Sequence, residues 1–127
     1  MRIYHVTKQE ESYRAILKSR TLLVGRNVST SDQFVHVSLE PFEQGSYALD
    51  VIGADTNEAW IFECEIADNT ALEEDPSGDG EHYNGGWKVC RNPIPITRIY
   101  SVTYIENVQR WEGGASGYAQ KIPVRNR

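Results

Sequence analysis

The chain reads as an α+β domain, with helices in its first half and strands in its second. Three patterns predict this. Two short segments, Arg2–Val6 and Phe34–Ser38, read as strands, and each carries a histidine, His5 and His36. An amphipathic helix, with Tyr13, Ile16 and Leu17 on one face, lies between them. From Trp60 onward the chain is a succession of strands separated by turn residues. That order suggests a compact pair of sheets with two helices from the N-terminal half packed to one side.

Thr7-Lys8-Gln9-Glu10 has the form of a capping box, with Thr7 as the cap and Glu10 reaching back, and the helix it opens runs to about Ser19. Leu22 and Leu23 make a short apolar step, and Asn27–Gln33 a polar loop. After the second strand, Ser38 stands where it caps a second helix. Pro41 suits that helix's first turn, and Phe42, Tyr47, Leu49 and Val51 form an imperfect apolar face. Trp60–Ile66 alternates, which turns Phe62, Cys64 and Ile66 inward.

Leu72–Tyr83 is acidic and rich in turn formers, as a mobile surface loop is. Asn84-Gly85-Gly86 turns into a strand over Trp87–Arg91, Pro93–Ile96 makes an edge or bend, and Ile99–Ile105 is the last clear strand. The tail, 108–127, either wraps the body in extended form through Trp111 and Tyr118 or frays. No repeat and no linker divides 1–127, so a single domain is expected.

Bulk properties narrow the function. Of 127 residues, 39% are hydrophobic and 24% charged, as in ordinary soluble domains. A net charge of −5 disfavours broad phosphate-driven nucleic-acid binding. Cys64 and Cys90 lie in apolar runs, as buried thiols do in a reducing compartment. No apolar run approaches the ~20 residues of a membrane span, and the start lacks a signal-peptide core, so a cytoplasmic protein without membrane contact is expected. His5, His36, His82, Cys64 and Cys90 show no metal-ligand spacing, and no hydrolase nucleophile elbow or phosphate-binding glycine loop occurs. The two histidines do stand near the predicted starts of two helices. Imidazoles and helix N–H groups together would offer donors to a phosphate-bearing ligand.

In order and wording the chain resembles the ADP-ribosyltransferase-like superfamily. Members commonly open with Tyr-His-Gly-Thr, here Tyr4-His5-Val6-Thr7, and a helix ending in a Gly-Leu step follows, here Ser19–Leu23. The RNA 2′-phosphotransferase branch continues with words like Val-His-Leu-Ser, here Val35-His36-Val37-Ser38. It then shows Asn-Gly-Val-Trp-Leu, here Asn84–Lys88, and Val-Pro, here Ile94-Pro95. The resemblance covers roughly 2–105. It implies an NAD-consuming fold and transfer of ADP-ribose to an acceptor, with a protein or small molecule preferred to nucleic acid.

It also implies roles. His5 holds a ribose hydroxyl of NAD, with the Val6 backbone and Thr7 as further cofactor contacts. His36 or Tyr47 stacks on nicotinamide. Glu81, the nearest carboxylate upstream of the late strand, serves with His36 as a catalytic group. For each the plain alternative is structural: a core histidine satisfied by backbone, a helix cap, a packed aromatic, a loop carboxylate. The chain has Val6 where the family has glycine, Gly86-Trp87 where the transferase glutamate usually stands, and no match to the phosphotransferase arginines. Those departures keep a second expectation open, a non-catalytic relative that binds a nucleotide or a protein partner as an inhibitor does.

Overall fold

Antiparallel pairing organises the molecule. The computed structural model describes residues 1–7, 9–24, 34–39, 58–74, 87–111 and 114–124. In chain order they form β1 (Arg2–Thr7), α1 (Glu10–Ser19), β2 (Thr21–Leu22), β3 (Val35–Ser38), β4 (Glu58–Ile66), β5 (Glu73–Glu74), β6 (Trp87–Cys90), β7 (Ile94–Trp111) and β8 (Gly114–Ile122). Across the sheet the order is β2-β7-β4-β1-β3-β6-β5, with β8 also paired to β7. The α+β character stands as one helix on a mostly antiparallel sheet, with the first strand of the chain near its middle.

Register decides which residues share a face, because residues directly opposite in an antiparallel pair point the same way. Ile3, His5 and Thr7 face Cys64, Phe62 and Trp60 across β1–β4. Phe62 and Trp60 face Val102 and Tyr104 across β4–β7. This side is the core side: Ile3, Phe62, Cys64, Ile66, Ile99 and Val102 are buried there, with Val35 and Val37 from β3 and Ile16 of α1 packed in. The inward turn of Phe62, Cys64 and Ile66 is as the alternation predicts. On α1, Ile16 is buried while Tyr13 and Leu17 pack partly against the core, the face the sequence periodicity marks.

The opposite side of β1, β4 and β7 buries Ala59, Ile61 and Ile105 toward one end and carries charge around Glu63 and Glu65. Arg2 pairs with Glu63 at 3.2 Å and lies over the Tyr100 ring at 4.0 Å. The Tyr100 hydroxyl donates to Glu65, which also receives the Met1 ammonium. Two bulges in β7 make this possible. Glu63 faces Ser101 and Cys64 faces Ile99, so Tyr100 is the extra residue, and Thr97 is the extra residue between Ile96 and Arg98.

Several expectations change. Thr7 is not a helix cap: it stays extended opposite Trp60, and the helix is entered through Gln9, which makes no side-chain cap bond. Glu10 turns instead to Arg14, one helical turn on. The described residues hold one helix, not two. The second, expected from Pro41, lies outside them, as do the Asn27–Gln33 loop and the Asn84–Gly86 turn. Ser38, expected as its cap, is fully buried in β3.

Of the acidic segment, Leu72 packs partly against the core and Glu73 and Glu74 form β5 against β6, held by Arg91 and Lys88; residues 75–83 lie outside the described residues. Of Pro93–Ile96, expected as an edge or bend, Ile94–Ile96 is the start of β7. Pro95 faces Thr21 of the two-residue β2, and the Ile96 N–H supplies the bond to the Arg20 carbonyl at 2.9 Å. Within the tail, Gly114–Ile122 is an extended strand on β7.

Candidate functional site

β1 is in register with β4 from Arg2 through Thr7, but its register with β3 among the described residues is the pair Tyr4↔Ser38. One step further, the His36 carbonyl is taken by a side chain. His5 Nδ1 donates to it at 2.7 Å. The imidazole thus stitches β1 to β3 where the backbone ladder gives out. His5 is 9% exposed, and burial pulls its pKa down to about 4, a fall the bond to His36 opposes. At neutral pH the ring is uncharged.

Along the same face an aromatic row runs from His5 toward the start of α1. Phe62 lies 6.5 Å from the imidazole and 5.9 Å from Tyr13. Tyr13 stacks on Trp60 at 5.3 Å, and Trp60 meets Tyr104 at 5.0 Å. The row ends in carboxylates. The Tyr104 hydroxyl donates to Glu58 Oε2 at 2.6 Å, and Glu58 stands opposite Glu106. The bond to Glu58 and burial, with the charges of Glu58, Glu106 and Glu10, push the Tyr104 phenol up to about 12. This side can stack a flat ring at its partly buried tyrosines and accept hydrogen bonds at His5 and the carboxylates.

Among the described residues, the His5 end of α1 is not arranged for a phosphate. His5 is neutral, and the first turn of α1 carries Glu10 and Glu11, which occupy the positive helix end with negative charge.

The sequence-based candidates separate. His5 and Thr7 share the aromatic face, with Thr7 partly buried opposite Trp60. Val6 faces Ile61 on the other side of the sheet. His36 is two residues from Ser38, which faces Tyr4, so its ring shares the Tyr4 side and packs edge-on to Phe34 at 6.5 Å. The His5 ring meets the His36 carbonyl, while the two rings leave opposite faces. Tyr47 and Glu81 lie outside the described residues. No family model, curated protein or solved structure matches this chain.

Among the described residues no group of three metal-ligand side chains converges. Cys64 and Cys90 are free and buried, and burial pushes the Cys64 thiol up to about 12, so it is inert. No helix among them is long and apolar enough to cross a membrane. Tyr13, Trp60, Tyr104 and Glu58 are absent from the sequence-based site. Tyr13 and Trp60 read there as helix-face and strand residues, and nothing local to Glu58 shows that Tyr104, 46 residues on, is its partner.

Proposed function

We propose that this chain binds NAD on the His5 face of the sheet and transfers its ADP-ribosyl group to a protein, nucleic-acid or small-molecule acceptor. The observation that carries the reading is His5 itself. The histidine of the Tyr4-His5-Val6-Thr7 word is placed near the middle of the sheet. It is neutral, with one nitrogen spent on the His36 carbonyl and the other without a partner among the described residues. The antiparallel sheet and the word order through Val35-His36-Val37-Ser38 agree with an ADP-ribosyltransferase-like fold.

In such a reaction the nicotinamide–ribose bond breaks through an oxocarbenium-like state, and a carboxylate stabilises the positive ribose. Glu81 has that role in this reading, and the partly buried tyrosines of the aromatic row offer the flat surface a nicotinamide ring needs. A second reading, a nucleotide-binding relative without catalysis, is favoured by one observation: His36 leaves the sheet on the far side from His5 and so does not join it at a common reacting atom.

Titration calorimetry and a nicotinamide-release assay with cell extract as acceptor separate the two. Binding of NAD and of ADP-ribose at micromolar to millimolar Kd (roughly −8 to −4 kcal/mol) with nicotinamide release is the expected result. Binding without release selects the second reading. No heat from either ligand with folded protein overturns both.

A further inference from the structure

We propose that β8 is an interface strand. It pairs antiparallel with β8 of a second copy of this chain about a two-fold axis, and the two sheets become one. The proposal stands apart from the NAD reading.

The sheet edges carry it. Among the described residues three strands have a single neighbour, β2, β5 and β8. β2 and β5 are two residues each, and β5 is Glu73-Glu74. Brevity closes both edges to a further strand, and charge closes β5 twice over. β8 has neither protection. It runs nine residues, about 30 Å, from Gly114 to Ile122, with β7 as its neighbour. Residues 114–120 are uncharged, and the strand holds no proline. In an antiparallel ladder successive residues aim their N–H and C=O groups to alternate sides. About half of the backbone groups of β8 therefore point away from β7.

The far end of the β7–β8 pair asks for the same partner. The ladder between β4 and β7 begins at Glu58 and Glu106, and β4 reaches no further. Beyond it Gln109, Arg110 and Trp111 pair with Ser116, Ala115 and Gly114, and no third strand joins them among the described residues. A two-stranded ribbon is marginal in water. A second β8 supplies the third strand.

Charge and symmetry select a copy of this chain as the occupant. A two-fold axis near the middle of β8 sets its one charged residue, Lys121, against the uncharged first residues of the other β8, so like charges do not meet. The same operation on β5 would set glutamates against glutamates. An unrelated extended peptide takes its specificity from side-chain pockets beside the edge, whereas a second β8 takes its own from the symmetry.

Sedimentation velocity on the full chain from micromolar to millimolar, with amide hydrogen exchange at the same concentrations, tests this. A dimer should form as concentration rises, and alternate amides of β8 should gain protection with it. A monomer throughout overturns the proposal, as does a dimer that leaves exchange in β8 unchanged. Ala119→Pro and Gln120→Pro sharpen the test, because the two N–H groups aim to opposite sides of the strand. One variant loses a bond to β7 and should melt at a lower temperature. The other should keep the melting temperature of the dilute protein and lose the dimer. Two variants that dimerise like the parent chain overturn the proposal. The exchange measurement decides even where both variants unfold.

Discussion

On one side of β4, Phe62 is sealed among the core residues; on the other, its neighbour Glu63 is held by Arg2 and Ser101 at the edge of water. The same three strands make both surfaces, and alternation along each chain, reset at the two bulges of β7, separates them. The dry side has a tautomer-locked histidine and stacked rings. The wet side has guanidiniums over a tyrosine and a carboxylate shared with an ammonium group. The contrast teaches that two similar residues on neighbouring strands can enter different solvents. His5 is in the dry one, and His36 leaves the sheet on the other side, although their sequence words look alike.

The contrast breaks most visibly at residues 62 and 63. Phe62→Ala should cost about 3–5 kcal/mol, because it empties packed volume on the dry side. Glu63→Ala should cost roughly 1 kcal/mol or less, because it removes a solvent-screened pair. Denaturant midpoints of the two variants check this, and similar losses would erase the distinction between the faces.

Acid should probe the histidines next. The folded chain refuses a proton at His5 down to about pH 4, whereas the unfolded chain takes it near the ordinary histidine value of 6.5. Between those values the unfolded state binds more protons, so stability falls as pH falls, by on the order of 3 kcal/mol over the window. Glu65 and Asp68, held low by the Met1 ammonium, add their losses only below the ordinary carboxylate range. Stability measured across the window should lose this slope in His5→Gln. A wild type that keeps its stability from pH 6.5 to 4 would contradict a neutral, buried His5.

A similarly small effect belongs to Tyr104, where the dry side reaches its acidic end. Tyr104→Phe should cost about 1 kcal/mol by deleting the bond to Glu58. It should also remove one late-ionising phenol, near 12, from the tyrosinate absorbance titration. An unchanged titration curve would place that phenol elsewhere.

Much of the fold was legible because alternation is local. Phe62, Cys64 and Ile66 announce their common face within seven residues, and the Tyr13, Ile16, Leu17 stripe announces a helix. What failed needed information from afar. Thr7 looks like a cap until Trp60 pairs with it and keeps it extended. Glu73 and Glu74 look like loop until Arg91 and Lys88 hold them. Pro95 looks like a bend until a two-residue partner shows that its absent N–H is not needed, Ile96 bonding in its stead. The site fared likewise. His5 and Thr7 lie on one face, but the pair Tyr4↔Ser38 sends His36 to the other, and no periodicity within β3 alone reveals that parity.

The sheet order also has a consequence for biosynthesis. β1 lies between β3 and β4, and the far edge of β4 is covered by β7, which ends at Trp111. A chain emerging from the ribosome exposes Trp60-Ile61-Phe62-Glu63-Cys64-Glu65-Ile66 well before its covering strand exists. Non-local pairing of this kind closes late and slowly. The nascent protein therefore carries this edge unprotected until β7 follows it, and the later strand is what makes the earlier one safe.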